Sequence, residues 1–193
     1  MDSIKVIDEI MNLFKNYGSY DYIGETDITQ IQHMFQCAML AEKDTNDINI
    51  IIAALLHDIG HFIEINNKDK QMGSFGVMNH ELIGKEYLLS KGFENKVACL
   101  VGNHVKSKRY LVTKYPEYFN KLSEASKQTL IYQNGFMNNN EMIEFEKDPY
   151  FEESIKIRSY DDQAKIKDFK INSIDYYKNM LIEYFDNLDK YNN

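Results

Sequence analysis

Five histidines are the residues best placed to do chemistry in this chain: His33, His57, His61, His80 and His104. Four of the five lie beside or within apolar, helix-like runs. His57 is followed directly by a carboxylate in Ala-Leu-Leu-His57-Asp58-Ile-Gly-His61. Imidazole and carboxylate together suit Fe, Mn, Zn or Ni better than Ca. With no cysteine near the motif, a structural thiolate zinc site is disfavoured. Adjacent ligands cannot both leave one face of a helix, but at a helix end the chain turns and they converge. An Asp placed there offers one oxygen to each of two ions roughly 3.5–4 Å apart. His61, one turn beyond His57, reaches the same cavity as an outer or substrate-facing group. Taken singly, a buried histidine is more often a satisfied core residue than a ligand. A buried cluster of neutral imidazoles with a carboxylate is costly unless something satisfies it, and a metal does so.

The elements that carry these residues read as helices. Helical periodicity dominates and only two prolines, Pro116 and Pro149, interrupt the chain, so the expected fold is all-α. Residues 3–16 form a first helix with Ile4, Ile7, Ile10, Met11 and Phe14 on one stripe. Residues 17–26 read as loop. Asp27, with Gln30 three positions on, is expected to cap a central helix over 27–43 that carries His33. Asp47 caps the next, fully apolar helix, with His57 and Asp58 at its end. A polar loop over 66–79 leads to Asn79, a plausible N-cap, which puts His80 in the first turn of a helix ending at Gly92. Residues 94–104 form a helix that ends on His104. Further helices are expected near 116–133, 141–147, 150–158 and 172–188, with the Asn-rich 138–140 as surface loop. No repeat or linker divides residues 1–193, so one domain is the simplest organisation.

Composition narrows the function. A length of 193 residues with 44% apolar content supports a sizeable core without disulfides. A net charge of −8 argues against a nucleic-acid surface. No apolar run approaches the roughly 18 residues needed to cross a bilayer. The acidic, amphipathic N-terminus is unlike a secretory signal. Cys37 and Cys99 lie in apolar helical runs and read as reduced packing residues, which fits a cytoplasmic setting. The size allows a monomer or a small homo-oligomer.

The order His33, His57-Asp58, His80, His104, Asp161 resembles the HD-domain superfamily of metal-dependent phosphohydrolases. A narrower set of segments is similar to the HD-domain mixed-valent di-iron oxygenases that cleave organophosphonates. These segments are Tyr22-Ile-Gly-Glu25, Thr29-Gln30-Ile-Gln-His33, Leu-Leu-His57-Asp58-Ile-Gly-His61, His80-Glu-Leu-Ile-Gly, His104-Val-Lys-Ser-Lys108, Leu122-Ser-Glu-Ala-Ser126-Lys-Gln-Thr129-Leu and Arg158-Ser-Tyr-Asp161-Asp162. Asn134-Gly135-Phe136 stands where that group more usually has Gly-Gly-Pro.

The resemblance implies a helical bundle holding two iron ions. One would be bound by His33, His57, Asp58 and Asp161, the other by Asp58, His80 and His104, with Asp58 bridging. It implies that Tyr22 caps the second ion at rest and that Glu25 faces a substrate ammonium. His61, Lys108, Ser126, Thr129 and Arg158 would hold the phosphonate. The implied reaction uses O₂ to turn a small 1-hydroxyphosphonate into a carboxylic acid and phosphate.

The residues themselves are compatible with that. A phosphonate dianion in a partly dry pocket needs cations and hydroxyl donors, and the Arg158 fork can bind two oxygens at once. Ser126 and Thr129, three apart, share a helix face. Lys108, Arg158, Ser126 and Thr129 each also read as ordinary surface residues. The runner-up is a phosphohydrolase in which the same ligands hold Mn, Mg or Zn and activate water against a phosphate ester or nucleotide. A metal- or nucleotide-sensing module is the third reading.

Overall fold

The computed structural model describes residues 2–22 and 27–191, and it is all-α. Helix α1 (Ser3–Tyr17) is followed by α2 (Gln30–Asp44), α3 (Ile48–Leu56), the short α4 (Ile59–Ile63), α5 (His80–Ser90) and α6 (Asn95–Lys114). Then come α7 (Pro116–Lys121), α8 (Glu124–Tyr132), α9 (Asn139–Glu146), α10 (Phe151–Gln163) and α11 (Ile174–Tyr191). No described helix is long and apolar enough to cross a membrane.

Helix α3 is the axis of the packing. Its run from Ile50 to Leu56 is buried on every side, as expected for a helix apolar all round. It lies against α2, α6 and α10, while α5 packs on α4 and α6, and α1 packs on α11. Phe14 joins these layers with edge-to-face contacts to Phe35 at 5.3 Å and Phe62 at 5.8 Å. Local signals fix the helix starts. The Asp47 carboxylate accepts from Asn49 N at 2.9 Å, and Asp2 accepts from Lys5 N.

Several boundaries differ from the sequence reading. The central helix is capped by Thr29, not Asp27, in a capping box with Gln32. Asn79 precedes α5 but makes no side-chain cap. It sits instead in a left-handed conformation with φ 57° that turns the chain into the helix. His104 is not the end of its helix, because α6 runs on to Lys114. Val105, Tyr110 and Val112 carry buried apolar contacts beyond His104, and the buried polar residues Ser107 and Lys108 interrupt that stripe. The expected helix over 116–133 is two, broken at Leu122–Ser123, where Ser123 caps α8. Asn138 is not loop but the cap of α9, boxed with Glu141. Helix α10 reaches Gln163 and so includes Asp161.

Candidate metal centre and substrate cavity

Four imidazoles from four helices meet in two pairs. His33 of α2 and His57 at the end of α3 bring their Nε2 atoms to 3.1 Å. His80 of α5 and His104 of α6 bring theirs to 2.9 Å. In each ring the other nitrogen faces a backbone carbonyl. His33 Nδ1 lies 2.9 Å from Ala164 O, His57 Nδ1 2.9 Å from Ala54 O, His80 Nδ1 3.1 Å from Val77 O, and His104 Nδ1 2.7 Å from Val101 O. A carbonyl accepts only, so each Nδ1 carries a proton and, in the neutral ring, Nε2 presents a lone pair. Without metal, burial opposes a charge on His57 but Asp58 raises its pKa well above the ordinary value. Two lone pairs at about 3 Å repel unless a cation lies between them. This is the arrangement of imidazoles bound to metal through Nε2, with Nδ1–H anchored on the backbone.

Asp58 divides the two pairs. Its Oδ2 is 3.3 Å from His57 Nε2 and 3.7 Å from His33 Nε2. Its Oδ1 is 3.5 Å from both His80 Nε2 and His104 Nε2. One oxygen thus faces each pair, which is what a carboxylate shared between two ions requires. The backbone makes this geometry at the α3–α4 break, where His57 is still helical and Asp58 has left the helix at φ −102°, ψ 10°. Asp161 completes the first group, with Oδ1 at 3.4 Å from His33 Nε2. Burial alone would raise the Asp58 carboxyl, but the adjacent His57 imidazole holds it well below the usual range. Burial likewise opposes ionisation of Asp161, and the Arg158 guanidinium holds it well below its ordinary value. The donor set is therefore anionic and dry, and it fits two divalent or trivalent ions.

Gly60 sets the spacing between the halves. A Cβ there would lie 1.9 Å from the His80 carbonyl oxygen, so only glycine lets α4 approach the start of α5.

His61 belongs to the centre's wall. Asp58, His61 and His80 present ligand atoms within 4.8 Å of one another. His61 Nδ1, however, accepts a hydrogen bond from Val77 N at 3.0 Å, which leaves Nε2 as a donor rather than a ligand. Its ring stacks on His80 at 3.9 Å. Burial and the neighbouring His80 push its pKa well below the ordinary value, so it stays neutral.

The cavity over the centre is lined by Tyr22, Asp58, His61, His80, His104, Lys108, Ser126, Thr129, Arg158 and Asp161, among others. Every expected site residue within the described part therefore borders this cavity or the metal centre. Glu25 lies outside the described residues. Tyr22 stacks its ring on His33 at 3.8 Å, beside the first donor group rather than the His80–His104 pair to which the resemblance assigns it. Lys108 Nζ donates to Thr129 Oγ1 at 2.9 Å, linking α6 to α8. Burial, with Arg158 nearby, pushes Lys108 down to about 7. Arg158 donates to Asp161 Oδ2 at 2.7 Å, to Tyr118 Oη at 2.8 Å and to Asp162. Cys37 is buried, which pushes its thiol up and keeps it a neutral packing residue.

The sequence reading missed Tyr118, Asp162 and Lys165 as members of the site. Tyr118 donates to Asp162 Oδ2 at 2.5 Å while accepting from Arg158. Asp162, four residues after Arg158 on one helix, was detectable as an i,i+4 ion pair. Lys165 lines the cavity with its Nζ 5.5 Å from the Tyr22 ring centre.

The HD-domain family pattern matches residues 31–176, the segment that supplies all six grouped donors. This chain belongs to the HD-domain family. The HD domain here is 38% identical over 170 residues to the [1-hydroxy-2-(trimethylamino)ethyl]phosphonate dioxygenase (glycine-betaine-forming) of Leisingera caerulea, covering 86% of this chain and 83% of that protein. It is 33% identical over 171 residues to the hydroxymethylphosphonate dioxygenase of Gimesia maris, covering 89% and 84%. An uncharacterized protein of Acanthamoeba polyphaga mimivirus is 56% identical over 181 residues, covering 94% and 82%. The HD domain is thus close to phosphonate dioxygenases as well as to the wider superfamily.

Proposed function

We propose that this HD-domain protein is a di-iron oxygenase that cleaves the C–P bond of a small 1-hydroxyphosphonate. The observation that carries the reading is one cavity in which anion-binding groups, Lys108, Ser126 and Arg158, face a two-metal donor set. The two curated dioxygenase relatives act, by name, on hydroxyphosphonates. The balanced reaction is R–CH(OH)–PO₃H₂ + O₂ → R–COOH + H₃PO₄.

His33, His57, Asp58 and Asp161 would hold one iron, and Asp58, His80 and His104 the other. Iron, when bound by these residues, would supply the one-electron and dioxygen chemistry. The chain's own groups supply position and charge. Arg158 keeps N–H groups for a phosphonate oxygen after serving Asp161, Asp162 and Tyr118, because a guanidinium has five. Lys108 and the Ser126 hydroxyl add donors on the α6 and α8 sides. His61 offers its Nε2–H. Tyr22 covers the His33 side, with its hydroxyl pushed well above the ordinary value by burial and by Asp161. In this reading Glu25, which lies outside the described residues, would face a substrate ammonium. Residues 1–193 act as one domain in this reading, supported by the main apolar cluster, which runs from Val6 in α1 to Phe185 in α11, with two smaller clusters around Tyr110 and Val112. We place it in the cytoplasm, as a monomer or small homo-oligomer.

The same donors would hold Mn, Mg or Zn in a phosphohydrolase. The test is a panel of hydroxyphosphonates and phosphate esters, offered to protein loaded with Fe or with Mn. Phosphate release from a hydroxyphosphonate that needs iron and air supports the oxygenase. Ester hydrolysis with Mn under argon, with every phosphonate inert, overturns it.

A further inference from the structure

We infer that Gln133 is a substrate-contacting residue, its carboxamide donating to the phosphonate beside Ser126 and Thr129. This rests on the phosphonate reading above. Ser126, Thr129 and Gln133 are spaced i, i+3, i+7, so they share one stripe of α8 and its C-terminal turn, and all three line the cavity. Gln133 is only 8% exposed, and its Oε1 is buried with no hydrogen-bond partner.

An unsatisfied buried amide oxygen needs an explanation, and helix capping does not give one. The helix end is closed by backbone alone: Gln133 N donates to Thr129 O at 3.0 Å and Gly135 N to Leu130 O at 2.8 Å. The turn that follows is fastened from outside, with Arg109 Nε donating to Gly135 O at 3.0 Å. Two adjacent residues of α6 therefore hold α8 in place, Arg109 through this turn and Lys108 through Thr129. The Gln133 side chain is delivered to the cavity by a fixed backbone and is left without an internal task.

Its neighbours explain why a donor is needed there. The Thr129 hydroxyl is committed, donating to Ser126 O at 3.1 Å and accepting from Lys108. A half-turn about the last side-chain torsion exchanges the two ends of the carboxamide, so NH₂ faces an anionic oxygen whenever one is present.

The test compares wild type with Gln133→Leu and Gln133→Glu, as iron-loaded proteins titrated anaerobically with hydroxymethylphosphonate, each with its melting temperature. Gln133→Leu should weaken binding about tenfold, the loss of one hydrogen bond to a charged group. Its melting temperature should be equal or higher, because an unsatisfied polar group is replaced by an apolar one of similar size. Gln133→Glu should weaken binding further by repelling the anion. Wild-type affinity in Gln133→Leu overturns the assignment and leaves the phosphonate reading standing. A lower melting temperature with unchanged affinity assigns the amide to folding and overturns it as well. A wild type that binds no phosphonate overturns both.

Discussion

Arg158 and Asp161 share a hydrogen bond of 2.7 Å, which joins the grouped histidine and aspartate donors to the cationic wall of the cavity. Asp161 Oδ2 takes the guanidinium while Oδ1 faces His33 Nε2 at 3.4 Å. Both partners are buried, and burial alone would lower the Arg158 pKa, but Asp161 and Asp162 hold it well above its ordinary value. Arg158→Lys keeps a charge but cannot serve Asp161, Asp162, Tyr118 and substrate together. It should raise the KM for phosphonate by about 10- to 100-fold, one charged hydrogen bond or more. Steady-state kinetics at saturating iron checks this, and an unchanged KM would remove Arg158 from the pocket.

Tyr118 is a positioning residue for that guanidinium, set between Arg158 Nε and Asp162. Tyr118→Phe should raise KM several-fold, up to about tenfold, and leave bound metal unchanged. A variant that loses metal but keeps KM would place Tyr118 in the scaffold of the centre instead.

Gly60→Ala tests the spacing of the two halves. The added Cβ meets the His80 carbonyl oxygen at 1.9 Å, and backbone cannot yield as a side chain can. The cost should be about 1–3 kcal/mol of stability, and the His80–His104 half should lose its ion first. Denaturant titration and metal analysis read both effects.

Lys108 gives a pH dependence. Burial and Arg158 push it down to about 7, so its ammonium form is full below that value and is lost as pH rises through it. An anion bound by this charge makes kcat/KM fall on the alkaline side of about 7. Lys108→Arg stays charged at all working pH values, so the fall should disappear from its profile. The same alkaline limb in both proteins would assign it elsewhere.

Much of the centre was legible in the sequence. His57 and Asp58 close a run too apolar to accept polar groups without a task, and Asp47 marks the start of the helix that delivers them, whereas His33 lies among Gln30, Gln32 and Gln36 and gains meaning only beside that pair. Asp161 was not legible from local pattern and came only with the family resemblance. It joins the centre because α10 packs on α2, a contact between distant segments. The length of α6 was hidden for a related reason. Ser107 and Lys108 are buried, Lys108 lining the cavity, so polar residues interrupt the apolar stripe that Val105, Tyr110 and Val112 continue. The Thr29 cap competes with an equally good Asp27 signal two residues earlier, and the choice falls to the Gln32 side chain, which closes the box on Thr29 N.

Asp58 should matter more to metal content than any single histidine, because its two oxygens face separate imidazole pairs. Asp58→Ala should lose both ions, while His104→Ala should keep about one per chain. Equal losses in the two variants would contradict a shared carboxylate.

The most direct test of the oxygenase reading is isotopic. Iron-loaded protein is given hydroxymethylphosphonate under ¹⁸O₂, and the products are weighed by mass spectrometry. The balanced reaction predicts one O₂ consumed per phosphate released, with ¹⁸O incorporated into the products. Phosphate that forms without O₂ consumption, with no ¹⁸O in either product, would contradict it.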